Sequence, residues 1–343
     1  MPTAILINQQ FRLAARPVGL PKPSDWQQVS APLRDIVDGE IVIKTLYLSL
    51  DPAMRGWMNE GKSYIRPVAI GEVMRAGGVG VVVASKSPRF ALGDTVSGGI
   101  GVQTYWLGAA DDTSGNFFKI DPSIAPLTTW LNTLGMPGMT AYFGLLEVGQ
   151  PKAGETVVVS GAAGAVGQTV GQVAKLMGCR VIGIAGGKDK CDFVVNELGF
   201  DACIDYKNSD LREGLKQHCP QGVDVYFDNV GGDMLDTVLT RIRLKARIVI
   251  CGAISQYNNT GAVKGPANYL SLLVHRARME GIVVFDYAER FHLGVAAIAK
   301  WLKEGKFKSR EDVVEGLEHF PEALLMLFEG KNFGKLVLKV ADA

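Results

Sequence analysis

Histidine and cysteine are few in this chain, and none occurs early in it. The four histidines (His218, His275, His292, His319) and five cysteines (Cys179, Cys191, Cys203, Cys219, Cys251) all lie at or beyond residue 179. The gaps separating Cys179, Cys191 and Cys203 match no structural zinc spacing, and a catalytic zinc needs His or Cys ligands converging on one cleft. A metal centre is therefore not expected, and His218 beside Cys219 reads as a helix end. An odd number of scattered cysteines speaks against a disulfide framework and for a reducing, cytoplasmic setting. Charge nearly cancels, with 36 Lys and Arg against 35 Asp and Glu, so no electrostatic footprint for nucleic acid is present. No apolar run reaches the roughly 18 residues of a membrane span. The hydrophobic run at residues 4–7 is too short for a signal peptide. Internal repeats and low-complexity tracts are also missing.

Glycine is abundant, with 41 among 343 residues, and the length exceeds the roughly 250 residues at which single cores stop growing. Two domains are expected. The most informative stretch is Gly161-Ala162-Ala163-Gly164-Ala165-Val166-Gly167. It lies between a buried-strand pattern at 156–160 and a helix pattern that puts Val166, Val170, Val173 and Met177 on one face. A glycine-rich turn from strand to helix can hold a pyrophosphate, because backbone N–H groups and the helix dipole both favour an anion there. The match to the dinucleotide fingerprint is imperfect, since Ala163 stands where its second glycine belongs. A tight turn that merely packs helix on sheet is the alternative.

Beyond the loop, strand patterns at 180–185, 202–206, 223–228, 246–251 and 278–285 alternate with helix patterns at 188–198, 210–218, 232–241 and 290–303. With the strand at 156–160 these make six strands, enough for a doubly wound α/β Rossmann sheet with ligands at the carboxyl ends. The second strand ends Ala185-Gly186-Gly187-Lys188, without the carboxylate that bonds an NAD ribose. Glycines leave room for a 2′-phosphate, and Lys188 and Lys190 supply charge beside it, weakened by Asp189. NADP(H) is expected over NAD(H). The first 130 residues read as mostly β, with strand patterns at 41–46 and 80–84 and turns at Pro88, Gly93-Asp94 and Pro122, suggesting a small barrel or sandwich.

Several segments then carry a family resemblance. They include Leu48-Ser49-Leu50-Asp51-Pro52-Ala53-Met54-Arg55-Gly56, Gly135-Met136-Pro137-Gly138-Met139-Thr140-Ala141-Tyr142 and Tyr226-Phe227-Asp228-Asn229-Val230-Gly231-Gly232. Cys251-Gly252-Ala253-Ile254-Ser255-Gln256-Tyr257-Asn258 and Asn332-Phe333-Gly334-Lys335 add to them. Together with the loop, they make the chain resemble the zinc-independent medium-chain dehydrogenase/reductases. The resemblance is to the group of prostaglandin reductases, leukotriene B4 dehydrogenases, alkenal double-bond reductases and bacterial curcumin reductases. Zinc-dependent relatives carry Gly-His-Glu where this chain reads Gly71-Glu72-Val73.

The resemblance implies a GroES-like β-barrel catalytic domain at 1–133 and 309–343, with the Rossmann domain at 134–308. It implies that Gly164, Ala165, Val166 and Gly167 face the pyrophosphate and that Lys190 and Tyr206 bind the 2′-phosphate. Asn229, Cys251, Gly252, Ala253, Ile254, Ser255, Gln256, Tyr257, Ile282, Val283, Val284 and Asn332 would line the adenosine, ribose and nicotinamide region, with Asn332 bridging the two domains. Catalytic candidates are Tyr64, on the substrate side, and Tyr257, at the nicotinamide ribose; an ordinary exposed loop tyrosine is the alternative for Tyr64. Trp57, Met58 and Tyr105 either line a substrate cleft or belong to the core. Arg55 reads as a partner of a carboxylate such as Asp51, and Cys251 as a buried thiol rather than a nucleophile. The implied reaction is NADPH-dependent saturation of an α,β-unsaturated aldehyde or ketone, a small-molecule substrate, by a homodimer that meets at the edge strand 278–285. Quinone reduction, hydroxy-lipid dehydrogenation and a non-catalytic NADPH-binding sensor remain the alternatives on this fold.

Overall fold

The computed structural model describes residues 5–112 and 115–342, and two compact units emerge from it. One consists of Met1–Leu131, Asp312–Asn332 and Leu336–Ala343; the other of Asn132–Glu311 and Phe333–Lys335.

In the first unit, β1 (Ile7–Leu13) and β2 (Trp26–Pro32) form an antiparallel pair with Leu13 opposite Trp26. A larger sheet is built on β3 (Glu40–Ser49), whose apolar side chains are almost all buried. β3 pairs antiparallel with β4 (Gly78–Ser85) and β6 (Tyr105–Ala109), and β5 (Thr95–Gly98) joins β4 to β7 (Phe118–Lys119). Gly80 lies against the Lys44 carbonyl, where a Cβ would come within 2.4 Å of the oxygen, so only glycine fits this register. A short helix α1 (Ala53–Trp57) follows β3 and buries Met54, Arg55 and Trp57.

The second unit opens with α2 (Met136–Phe143) and then alternates. Its elements are β8 (Thr156–Ser160), α3 (Ala165–Leu176), β9 (Arg180–Ala185), α4 (Lys188–Asn196), β10 (Ala202–Asp205) and α5 (Leu211–His218). β11 (Val223–Asp228), α6 (Gly232–Leu239), β12 (Ile242–Ile250), α7 (Leu270–His275), β13 (Arg278–Gly281) and α8 (Phe291–Lys303) follow. The six strands are ordered β10-β9-β8-β11-β12-β13 in parallel ladders, the strand order of a Rossmann sheet. The central strands β8 and β11 are covered on both faces, which explains their unbroken Val, Tyr and Phe runs. Chain order reverses between β8 and β11, so ligands belong at the carboxyl ends of these two strands.

Three details differ from expectation. β12 begins at Ile242 rather than 246, because it pairs with β11 from Val223 onward through a bulge. β13 stops at Gly281 rather than 285, because its partner β12 ends at Ile250; the Ile282 N–H takes the last carbonyl of that strand at 3.1 Å, and a 3-10 turn begins at Val284. Met177 caps α3 and is exposed, while Val170 and Val173 are buried as the periodicity requires.

The chain returns through β14 (Glu311–Glu315), α9 (Phe320–Glu329) and β15 (Lys335–Lys339). β15 pairs antiparallel with β3, completing the first unit's order β14-β15-β3-β4-β5-β7. Phe320 of α9 enters the core of that unit, 5.4 Å from the Phe11 ring and 5.0 Å from Trp26. In the second unit, buried Gln168 and Gln172 of α3 act as surrogate backbone. Gln168 Oε1 accepts from Arg310 N at 3.0 Å and its Nε2 donates to the Arg310 carbonyl at 3.2 Å; Gln172 bonds Lys308 in the same way. Among the described residues no helix is long and apolar enough to cross a membrane.

α3 lies close to its neighbours because Gly167 and Gly171 carry no side chain. A Cβ on Gly171 would fall 1.8 Å from Phe200 Cζ and 2.2 Å from its Cε1, far inside van der Waals contact. Gly171→Ala is expected to lower stability by about 1–3 kcal/mol through overpacking. An unchanged urea midpoint would mean that Phe200 moves aside without cost.

Candidate functional site

The glycine-rich loop sits where β8 hands the chain to α3. Gly161 adopts φ +60, and Gly164 begins the helix with extended backbone and no side-chain cap, so no side chain competes for the first-turn N–H groups. Gly167 packs so tightly that a Cβ would meet the Gly161 carbonyl oxygen at 2.2 Å. Ala163, the departure from the fingerprint, is buried, and its carbonyl accepts from Gly334 N at 3.1 Å. Gly334 thereby forms a parallel bridge to Gly164, at φ +78 and with no room for a Cβ beside the Arg310 carbonyl. The segment Phe333–Lys335 thus runs beside the loop; Phe333 packs on Phe193 at 5.1 Å, and the Arg310 guanidinium lies 4.0 Å over its ring.

At the end of β9 the absence of a carboxylate acquires a shape. A Cβ on Gly186 would lie 2.9 Å from the Tyr206 hydroxyl and 3.0 Å from Lys207 Cε, so both side chains arch over the glycine. Asp205, last residue of β10, holds them there. Its Oδ1 accepts from Gly187 N at 2.8 Å and Lys207 N at 3.1 Å, and its Oδ2 accepts from Asn208 Nδ2 at 2.7 Å. These bonds, Asn208 foremost, hold the Asp205 carboxyl below the usual carboxylate range. Lys190 is half-buried in the first turn of α4 and Tyr206 is exposed. Lys188 pairs with Asp192 one turn on, which raises its pKa and turns its charge along the helix. Lys207 was missed in the sequence; its signal was adjacency to Tyr206 at a strand end facing two glycines.

The ends of β8, β11 and β12 are joined through Asp228. Its buried Oδ1 accepts from Ser160 Oγ at 3.0 Å, Tyr226 Oη at 2.8 Å, and the Val230 and Gly231 N–H groups at 3.0 Å each. Burial pushes its pKa up. Its carbonyl accepts from Cys251 N and Gly252 N at 2.9 and 3.1 Å. Asn229 donates from Nδ2 to the Ser160 carbonyl at 2.7 Å. Gly231 and Gly232 take positive φ, and side chains there would strike Ala253 and Gln256. Ile254 and Ser255 bond back to Asn229 and Val230 through their N–H groups. The Tyr257 hydroxyl accepts from Ala253 N at 3.1 Å, curling residues 253–257 into one compact turn. Ile282 and Val284 are buried and Val283 half-buried, following the end of β13. The second unit therefore gathers the glycine-rich loop, Lys190, Tyr206, Asn229, residues 251–257 and residues 282–284 along the carboxyl side of one sheet.

In the first unit, Tyr64 is 58% exposed on the loop after α1, and Asn332 is half-buried. Trp57 and Met58 are buried in the core, and Tyr105 is half-buried on β6. Arg55 is buried and braces a loop through the Gly19 and Pro17 carbonyls, each at 3.0 Å, while Asp51 accepts from Ser49 Oγ. Burial lowers the pKa of Arg55, and Asp25 supplies the opposing charge.

Cys191 of α4 and Cys203 of β10 are brought face to face, with Cα atoms 5.2 Å apart, within the span a disulfide bridges. Sequence separation hid a contact created by packing α4 on β10. Cys179, Cys219 and Cys251 are free. Among the described residues no three His, Cys, Asp or Glu side chains are grouped to hold a metal.

Burial pushes the Cys251 thiol up to about 12, with Asp228 adding to the effect. The thiolate is scarce at pH 8, partly offset by its higher intrinsic nucleophilicity. Alkylation of Cys251 in the native fold is expected to be slower than that of a free thiol by on the order of a hundredfold. Mass spectrometry after a timed pulse of iodoacetamide reads this, and native labelling at the denatured rate would refute it.

Comparison with known proteins agrees with this architecture. Residues 9–115 match a family described as the N-terminal domain of oxidoreductase, and residues 165–300 one described as zinc-binding dehydrogenase. The chain is 43% identical over 339 residues to the NADPH-dependent curcumin reductase of Escherichia coli, covering 97% of each protein. It is 44% identical over 340 residues to the NADP-dependent 2-alkenal reductase of Nicotiana tabacum, covering 97% of this chain and 98% of that one. The crystal structure of CurA in complex with NADPH from Vibrio vulnificus is 44% identical and superposes with a TM-score of 0.89, over 98% of this chain and 100% of that one. Identity at this level over nearly the whole length places the chain in the zinc-independent medium-chain dehydrogenase/reductase family, among the NADP-dependent oxidoreductases of its alkenal and enone reductase group.

Proposed function

We propose that this protein uses NADPH to saturate the carbon–carbon double bond of α,β-unsaturated aldehydes and ketones. The observation that carries the coenzyme choice is the carboxylate-free end of β9, where Tyr206 and Lys207 arch over Gly186 and Asp205 is turned onto backbone N–H groups. The Tyr206 hydroxyl and the lysine side chains are the donors a 2′-phosphate requires, and no carboxylate at the end of β9 repels it. The relatives' activities on curcumin and 2-alkenals support the substrate class.

In this reading the first-turn N–H groups of Ala165, Val166 and Gly167, with Gly164, receive the pyrophosphate. Lys190, Tyr206 and Lys207 bind the 2′-phosphate. Asn229, residues 251–257 and residues 282–284 line the rest of the coenzyme site. The chemistry NADPH supplies when bound is a hydride for the β-carbon. As negative charge grows on the carbonyl oxygen, the Tyr64 hydroxyl donates a hydrogen bond to it. Tyr257 orients the ribose end of the site, and a proton from a neighbouring acid or water completes the α-carbon.

Nicotinamide absorbance with a panel of enones tests the reaction. Rapid loss with NADPH and slow loss with NADH, yielding the saturated carbonyl, is the expected result; binding without turnover of any enone would refute it. Tyr64→Phe is expected to lower kcat about 100-fold with little change in the KM for NADPH. Lys190→Ala is expected to raise the KM for NADPH by roughly tenfold or more and leave that for NADH unchanged. An equal effect on both coenzymes would remove Lys190 from the phosphate site.

The edge of the second unit supports a homodimer. All four residues of β13 are exposed, and α7 beside β12 exposes Leu270, Leu273 and Val274. The apolar patch on α7 beside an unpaired edge strand would be covered by pairing with a second copy. A dimer in sedimentation, converted to monomer by Leu273→Glu, is expected; a wild-type monomer at micromolar concentration would count against it.

A further inference from the structure

We propose that Cys191 and Cys203 form a thiol–disulfide switch that sets the affinity of this site for the 2′-phosphate of its coenzyme; this rests on the NADP(H) reading above. The two cysteines belong to the two elements that build the phosphate end. Cys191 directly follows Lys190 in the first turn of α4, and Cys203 lies on β10 shortly before Tyr206 and Lys207. Their Cα atoms are 5.2 Å apart, within the span a disulfide bridges without backbone movement.

The N-cap of α4, Gly187, takes φ 104 and offers no side-chain cap; the Lys188–Asp192 pair and the Cys191 N–H to Gly187 carbonyl bond at 3.2 Å close the turn along its own helix but do not tie it to β10. The hydrogen bond from Gly187 N to Asp205 Oδ1 attaches the start of the turn to the end of β10. The disulfide adds a covalent tie between the same two elements. With both in place, Lys190 is held at a fixed distance from the Tyr206–Lys207 turn. With the disulfide open, the turn can fray and carry Lys190 with it.

The exchange is selective for this pair. Both cysteines are half-buried, so a small thiol reagent reaches them. Burial pushes Cys179 and Cys219 to about 11 and Cys251 to about 12, which keeps those thiols protonated near neutral pH. The oxidant is a low-molecular-weight disulfide of the glutathione type. One cysteine thiolate attacks it, forms a mixed disulfide and releases one small thiolate. The second cysteine attacks the mixed disulfide, closes the Cys191–Cys203 bond and releases the other. The protein loses two electrons and two protons, and the small disulfide becomes two thiols.

The test is calorimetric binding of 2′,5′-ADP, which carries the 2′-phosphate, and of 5′-AMP, which lacks it. Each is titrated into the full chain equilibrated with reduced or oxidised glutathione, with the thiol state read by mass spectrometry. Oxidised protein is expected to bind 2′,5′-ADP about two- to tenfold more tightly than reduced protein, the range set by immobilising one long side chain, and 5′-AMP equally in both states. Cys191→Ser and Cys203→Ser should each lock the reduced affinity and abolish the response. Equal 2′,5′-ADP affinity in the two states, no Cys191–Cys203 bond under excess oxidant, or a persisting response in the serine variants would overturn the switch. If 2′,5′-ADP binds better than 5′-AMP by the same factor in both states, the switch alone fails; if it never binds better, the NADP(H) reading fails with it.

Discussion

The buried carboxyl group of Asp228 is the constraint on which the proposed coenzyme site depends. One oxygen gathers a serine hydroxyl from the end of β8, a tyrosine hydroxyl from its own strand and two N–H groups of the following turn. Its backbone carbonyl takes two more N–H groups from the end of β12. Three strand ends are thereby locked in one register, and the turns beyond them, 229–232 and 251–257, inherit fixed positions. All four side-chain bonds fall on Oδ1, while Oδ2 is buried without a hydrogen-bond partner, so the carboxyl is held by one oxygen and its desolvation is only partly offset.

A second aspartate, on the edge strand β10, does the equivalent work at that edge of the sheet. In an NAD-binding sheet a carboxylate at the end of the second strand faces the ribose. Here that strand ends in glycines, and Asp205 on the next strand spends its oxygens on Gly187, Lys207 and Asn208. The negative charge is engaged by backbone and amide donors, while the surface it organises presents Tyr206 and Lys207. In the proposed function the same residue type would serve coenzyme preference by being turned inward instead of outward.

The return of the chain explains why the dinucleotide loop tolerates Ala163. The fingerprint glycine permits close backbone approach at that position. In this protein Ala163 is buried and its carbonyl is taken by Gly334, so the close backbone neighbour is supplied by the Phe333–Lys335 segment. Gln168 and Gln172 fasten the preceding return, residues 308–310, to the same helix. The helix that receives the pyrophosphate in the proposed function is thus clamped by chain from far along the sequence.

What the amino-acid sequence determined by itself was local and periodic. Unbroken Val and Ile runs marked the buried parallel strands, alternation with helix patterns marked the Rossmann order, and glycine spacing marked the loop, since each follows from backbone sterics and burial within a few residues. The ends of β12 and β13 were misjudged because strand length is set by the partner strand, which no local pattern reports. Tertiary structure alone decided that Cys191 meets Cys203, that Lys188 turns to Asp192 while Lys207 arches over Gly186, that Asp205 and Asp228 point into their junctions, and that Gly334 lies on the loop. Each of those depends on two segments packing together, and their meeting is a property of the assembled sheet and its covering helices, not of either segment.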